Sequence, residues 1–442
     1  MLKLTRFHFI VIIAILAIHA LFSICGLKPV NVEQIFWYII DFKFLRENFF
    51  SSLIYFHEIP PLLSIIHYGA EVISFGHRYL FFALLLPLLH SLCFLLFSNV
   101  IHQLNFKYDK LFLAIIFLNP AVFIYFRFPF YSTFLFVQSI LFLFVLIGNF
   151  SSNKKLIFIT VLLVIAALER SSYNLLIVIL LLLPFILKAY KRTIVICLVL
   201  LLIPFSLYLK NYLLFGKFTS STLTGMYFHG HIDKNIPGSK IKKIGICRPV
   251  AYYKDFINEN DPMVIRYKHV PILNQNDMNN IRYLQVSDEY LTEFKENFDL
   301  LYSIKYVSLG FIRYMSSPSA DYKYLNTYLD NNSFQLYDLF DLPNIQLKNE
   351  TKTVIPFSLY LFVYPFILIF LLFYFRKLTF VVRYILLYTI FFSILYAAID
   401  PAESMRMRFE IEPFFYFLLL FVLANYKVLK NKQCQIKSKA LF

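Results

Sequence analysis

The chain has 442 residues, 59% of them hydrophobic, 19% aromatic and only 15% charged, with a mean hydropathy of +0.66. Soluble domains carry about a quarter charged residues, so this balance excludes an ordinary soluble fold and belongs to a polytopic membrane protein. The formal charge of +16 does not point to nucleic acid, because the lysines and arginines recur at the ends of hydrophobic segments, as a topology signal does.

The N-terminal stretch MLKLTRFHFIVIIAILAIHALFSICG combines a basic start with an apolar run of membrane length. A cleaved leader has an apolar region of only about 7–15 residues, so residues 7–27 read as an uncleaved first span. Residues 28–78 follow as a first outward loop. Within it Asp41 stands among aromatic and aliphatic neighbours in FWYIIDFKFL, and FHEIPPLLSIIHYG (56–69) runs His57 and Glu58 into Pro60 and Pro61. Adjacent prolines break a helix and fix a change of direction. The segment beyond them, LLSIIHYGAEVISFG, is too short to span and is expected to lie on or dip into the outer interface.

Further spans are predicted at 79–100, 111–126, 131–149, 156–169, 172–188, 193–209, 356–375, 379–398 and 411–426, for a total of about ten. Several fall short of the roughly 20 residues a bilayer requires. Residues 1–209 therefore form an N-terminal transmembrane module, 356–426 the C-terminal transmembrane helices and 427–442 a basic cytoplasmic tail. Between them, 210–355 is one long outward segment of mixed charge. Its stretch from Ser287 opens with a cap-like serine and acids, then spaces Leu291, Phe294, Phe298, Leu301 and Ile304 three or four apart. That is an amphipathic helix, so a mostly helical outward domain is expected.

Placing the N-terminus in the cytoplasm puts Lys3, Arg6, Lys107, Lys110, Lys154, Lys155, Lys188, Lys191, Arg192, Arg376, Lys377, Arg383 and the tail lysines inside. Asp109 is the sole acid with them. The positive-inside pattern thus predicts both termini in the cytoplasm. Asp41, Glu47, Glu58, Glu71, Glu169, Asp400, Glu403, Glu410 and Glu412 fall on the outer side with Arg46, Arg127, Arg170, Arg406 and Arg408. Ionisable groups at membrane depth are costly and mark function. Cys25, Cys93, Cys197, Cys247 and Cys434 show no metal-ligand spacing, so neither a disulfide framework nor structural zinc is expected.

A carboxylate at a low-dielectric boundary can act as a general base. With a histidine and a second carboxylate nearby it can also hold a divalent cation beside a phosphate. Asp41 is the candidate base on this ground, and His57 and Glu58 are candidate metal or phosphate contacts. Pro60 and Pro61 shape the loop under any reading. Plainer roles exist for each: Asp41 as the cap of an interfacial helix, His57 bonded to a loop carbonyl, and Glu169–Arg170 as a turn-capping ion pair.

In order along the chain, Asp41, the HxxPPL element (His57, Pro60, Pro61, Leu62), FGHRYLFFALLLPLL (75–89), LNPAVFIYFRFPFYSTF (118–134), KNYLLFGKFTSSTLTGM (210–226) and ESMRMRFEIEP (403–413) resemble the GT-C superfamily. These are polytopic membrane glycosyltransferases that use polyprenyl-phosphate-linked sugars, and the likeness is to uncharacterised bacterial relatives of the protein O-mannosyltransferase and aminoarabinose transferase group. The resemblance implies an all-α, GT-C-like bundle of about ten transmembrane helices with interfacial helices, in the bacterial inner membrane, with its active site on the outer face. It implies Asp41 as catalytic base, Arg406 and Arg408 on the donor phosphate, and Glu403 orienting them. The arginines suit this role because a planar guanidinium fork binds two oxygens and stays charged. Implied partners are the polyprenyl-phosphate-linked sugar, a glycan, lipid or protein acceptor, and membrane lipids, with no nucleic acid; a divalent metal ion is the one cofactor considered. The protein O-mannosyltransferase branch carries adjacent Asp-Glu in the first loop, whereas here Ile40 and Phe42 flank a single Asp, which weakens a protein hydroxyl as acceptor. Two rivals share the gross architecture. A polysaccharide polymerase or ligase using lipid-pyrophosphate glycans would keep its chemistry in 210–355. A lipid or glycan transporter would show midplane charges and repeats.

Overall fold

The computed structural model describes residues 4–24, 39–40, 42–127, 129–187, 189–222, 225, 228, 231, 282–315, 344–345, 355–356, 360–399 and 404–430. In chain order the helices are α1 (Arg6–Ile24), α2 (Phe42–Tyr55), α3 (Leu62–Ile73), α4 (Arg78–His102), α5 (Asp109–Phe117), α6 (Pro120–Tyr125), α7 (Tyr131–Ile147), α8 (Ser152–Glu169), α9 (Leu175–Ile186), α10 (Lys191–Phe215), α11 (Arg282–Glu296), α12 (Leu300–Tyr314), α13 (Tyr360–Phe373), α14 (Phe380–Ile399) and α15 (Ser404–Lys430). A short antiparallel ladder pairs β1 (Asn344–Ile345) with β2 (Ile355–Pro356).

Among the described residues four helices, α1, α4, α10 and α14, are long and apolar enough to cross a membrane, at 19, 25, 25 and 20 residues. At about 1.5 Å per residue they reach roughly 28–38 Å, against a hydrocarbon core of about 30 Å. The other predicted spans fold into shorter or more polar helices. The run at 111–126 breaks into α5 and α6 where Asn119 precedes Pro120, because proline lacks an N–H and restricts the residue before it. Helix α15 has 27 residues, but its first third carries Arg406, Arg408, Glu410 and Glu412.

The chain divides into two compact units: Met1–Val30, Tyr79–Ser151 and Ser308–Phe442 in the first, Asn31–Arg78 and Ser152–Val307 in the second. In the first unit α15 is the hub, packed on α7, α13 and α14. The Phe409 ring stacks on Tyr125 at 4.1 Å and on Phe136 at 4.4 Å between centroids, and Ser139 Oγ donates to the Glu410 carbonyl at 2.5 Å. A helix buried around most of its circumference belongs at the centre of a bundle, and Met407–Leu418 of α15 is buried throughout.

In the second unit α8 packs on α3, α9 and α10. Helix α10 buries one stripe, Thr193, Cys197, Leu201, Pro204, Tyr208, Asn211 and Phe215, spaced three or four apart. Its remaining surface exposes Leu198, Leu202, Ile203, Leu209 and Leu213. Apolar residues on both faces suit hydrocarbon on the side away from protein. Gly216 ends α10 in the left-handed region (φ +69°), with its N–H on the Tyr212 carbonyl at 2.9 Å, a stop that favours glycine. Asn174 caps α9 by accepting the Ile177 N–H at 3.0 Å.

The amphipathic segment expected from Ser287 divides into α11 and α12. Ser287 lies inside α11 rather than capping it, and its Oγ accepts the Gly225 N–H at 2.9 Å. Asp299 does the capping, with Oδ1 accepting the Tyr302 N–H at 3.0 Å. An acid just ahead of a first turn competes for the same orphan N–H groups as a serine.

Candidate functional site

Helix α2 ends at Tyr55 and α3 begins at Leu62, so Phe56–Pro61 must turn the chain. Pro61 sits at the N-cap of α3 without a side-chain cap, and its carbonyl accepts the Ile65 N–H at 3.1 Å. The turn is held by residues more than 150 positions away. Lys210 Nζ donates to the Phe56 carbonyl and reaches the Leu53 carbonyl at 3.4 Å. Ser221 Oγ donates to the Glu58 carbonyl, the Thr222 N–H donates to the His57 carbonyl at 3.0 Å, and Thr222 Oγ1 meets His57 Nδ1 at 2.7 Å. Asn211 Nδ2 donates to the Thr219 carbonyl at 2.8 Å, which fixes the strap itself. The His57 ring lies 4.5 Å from the Phe215 ring.

Phe56, His57 and Glu58 are all essentially inaccessible, at 0%, 1% and 0% exposure. Among the described residues neither carboxylate oxygen of Glu58 has a hydrogen-bond partner. Burial pushes the Glu58 carboxyl well above the usual carboxylate range, since removing a carboxylate from water penalises its charged form. His57 is engaged by Thr222, and Glu58 is held toward its neutral form. Among the described residues no group of three or more His, Cys, Asp or Glu is placed to hold a metal.

Asp41 lies outside the described residues. Its neighbours are placed: the Ile40 N–H donates to Ser64 Oγ of α3 at 3.2 Å, and Phe42 is buried with the Arg78 guanidinium 4.5 Å from its ring centroid. Glu403 likewise lies outside the described residues, and Arg406 is described for its backbone alone, on the first turn of α15.

Arg408 belongs to the first unit and is 1% exposed. Its Nε donates to Glu412 Oε1 at 3.1 Å, one turn along α15, and its Nη1 to the Tyr314 carbonyl at 2.7 Å. Glu412 Oε2 accepts from Tyr416 at 2.6 Å. The Tyr314, Tyr364 and Ser393 hydroxyls close a ring at 3.0–3.2 Å beside it. Glu410, on the same helix, accepts from Tyr396 at 2.7 Å and Ser132 at 3.3 Å. The buried charges of α15 are matched and solvated by hydroxyls, as charges taken out of water must be.

A third cluster, also in the first unit, was passed over in the sequence reading, which weighed Arg127 only as an outward-loop cation. His19 of α1 and His90 of α4 meet Nε2 to Nδ1 at 3.0 Å, both about fully buried. Arg127, in the turn between α6 and α7, donates from Nη2 to the His19 carbonyl and from Nη1 to Ser23 Oγ at 3.0 Å. The sequence signal was present: titratable residues inside apolar helices.

No family model, no curated protein and no solved structure matches the chain.

Proposed function

We propose that the chain is a multi-pass membrane glycosyltransferase, moving a sugar from a polyprenyl-phosphate donor to an acceptor hydroxyl on the outer face of a bacterial inner membrane, with both termini cytoplasmic. The observation that carries this reading is the His57–Glu58 turn: two ionisable groups buried beyond solvent, at the end of a proline-fixed loop that a distant strap holds shut. Such groups are costly to keep and mark functional sites in membrane proteins. Ile40 and Phe42, on either side of Asp41, are anchored in the same unit, which supports a loop of fixed shape around the candidate base.

In this reading Asp41 takes the proton of the acceptor hydroxyl as its oxygen forms a bond to the anomeric carbon. The bond from that carbon to the phosphate oxygen breaks, and polyprenyl phosphate leaves with the electron pair. Arg406 and Arg408 stabilise the departing phosphate, Glu403 orients them, and Glu412 holds Arg408 from one turn along α15. Glu58, inclined to its neutral form, is suited to donate a hydrogen bond rather than to ligate a cation. No step runs through a metal.

The test is mass spectrometry of surface glycans from cells lacking the gene, complemented with wild type or Asp41→Asn at equal membrane levels. One sugar residue is expected to vanish, restored by wild type alone, with transfer by Asp41→Asn down at least about 100-fold. Full restoration by Asp41→Asn overturns the site. Restoration by Asp41→Asn combined with failure of variants in 210–355 moves the chemistry to that segment, as a polymerase or ligase requires. An unchanged glycan profile favours transport.

A further inference from the structure

One corner of the second unit turns its apolar side chains outward. Where α11 gives way to α12, Phe298, Leu300, Leu301 and Ile304 are 51%, 61%, 77% and 53% exposed, while Ser303 among them is buried. A single exposed apolar residue is ordinary, but a contiguous group marks an interaction surface. The corner is braced from beneath. The Phe294 ring lies 4.6 Å from Phe228 and 5.2 Å from Phe298, and the His231 ring 4.9 Å from Tyr306. Asp299 caps α12 at the same point. The outward apolar face therefore belongs to a packed corner, not to a loose end.

What covers this face follows from what the corner is tied to. Lys217 Nζ donates to both carboxylate oxygens of Asp288, and the Gly225 N–H donates to Ser287 Oγ at 2.9 Å. A Cβ at Gly225 would run into the Ser287 carbonyl oxygen, so an approach this close requires glycine. Both ties fix the middle of α11 to the segment that leaves α10 at Gly216. The last turns of α10 expose Leu209, Tyr212 and Leu213, and Phe218 is exposed just beyond them, its ring 6.4 Å from that of Tyr212. An aromatic pair at the end of an apolar span belongs at the membrane–water boundary. About 12 Å of helix separates Asp288 from the end of α11, which keeps the corner within reach of that boundary. Thr292, Lys295 and Glu296 form an exposed polar edge on α11, so the two helices together present one wet side and one apolar side.

We propose that the α11–α12 corner, through Phe298, Leu300, Leu301 and Ile304, inserts into the bilayer leaflet at which α10 ends. The partner is the lipid surface itself, taken up by apolar burial at the boundary of headgroups and chains. Lys305, exposed beside Ile304, suits the same depth, because its long stem lies along apolar surface while its ammonium reaches water. Nothing in this contact requires a sugar or a base, so it stands or falls apart from glycosyl transfer.

The test exploits the chain's single tryptophan, Trp37. In a full-length Trp37→Phe background, Leu301→Trp places the one fluorophore on the corner and Thr292→Trp places it on the polar edge. Each protein is reconstituted into phosphatidylcholine vesicles and exposed to two quenchers, phosphatidylcholine brominated along its chains and aqueous iodide. Brominated lipid is expected to quench Leu301→Trp at least about threefold more than Thr292→Trp, and iodide to show the reverse order. Phe298→Trp and Ile304→Trp repeat the reading at two neighbouring positions, so misfolding of one variant leaves the test intact. Iodide quenching at the corner as strong as at Thr292→Trp overturns the proposal, because the face is then in water. Protection from both quenchers overturns it as well, because protein then covers the face; protection that disappears as the vesicles are diluted in protein identifies that cover as a second copy of the chain.

Discussion

Arg408 and Glu58 are both buried ionisable groups, yet they are handled in opposite ways. Arg408 sits in the wall of the α15 bundle, where Glu412 balances its charge and Tyr314 and Tyr416 complete the hydrogen bonding around the pair. Glu58 sits in a loop whose carbonyls at Phe56, His57 and Glu58 all accept hydrogen bonds, while its carboxyl meets no partner among the described residues. The difference teaches where electrostatic energy is settled within the chain and where it is left open. A helix can bring an acid and a base together by i,i+4 spacing alone. A turn closed by a strap from far along the sequence has no such local remedy, and an acid there must either stay protonated or meet something from outside.

The largest expected effect breaks the settled side. Arg408→Met leaves Glu412 buried without its cation and should destabilise the protein by about 3–5 kcal/mol, read as a fall in thermal midpoint in detergent. Arg408→Met with Glu412→Gln should recover much of that loss; if the double variant is as unstable as the single, the pair is not what balances the site. Next comes the strap. Thr222→Val removes the hydroxyl on His57 Nδ1 and should cost about 1–3 kcal/mol for a buried polar atom left unmatched. It should also raise proteolytic cleavage near residues 56–61, and unaltered cleavage would show that the strap does not hold the turn.

The smallest effect is the most informative about Glu58. Glu58→Gln replaces a carboxyl that folding keeps neutral, so stability near pH 5 should change by less than about 1 kcal/mol, the range of a near-isosteric neutral swap. The sign with pH follows from linkage. The folded carboxyl is raised above its ordinary value of 4.5, so between that value and the folded one the unfolded chain ionises first and stability falls as pH rises. Wild type should therefore lose stability relative to Glu58→Gln by up to about 1.4 kcal/mol per pH unit above pH 4.5, until the folded group ionises too. Parallel melting curves for the two proteins from pH 5 to 8 would show that Glu58 is charged in the folded state, and the contrast with Arg408 would disappear.

The helical, membrane-suited class of the chain was legible in its composition, and α1, α4, α10 and α14 fall on predicted runs because length and hydropathy are properties of contiguous sequence. The turn at Pro60–Pro61 was legible for the same reason, since proline acts on its own neighbours. Ser287 is not a cap because α11 already begins at Arg282, and Asp299 caps the separate helix α12. Glu403 was the acid expected beside Arg408 and lies outside the described residues; the Glu412 contact came from side-chain direction along α15. Thr222 on His57, and Arg127 against the His19–His90 pair, belong wholly to the tertiary structure, for contacts between residues 71 to 165 positions apart leave no periodicity to read. Sequence determined which segments are helical and which turn; packing alone determined which buried charges are answered and which are left waiting.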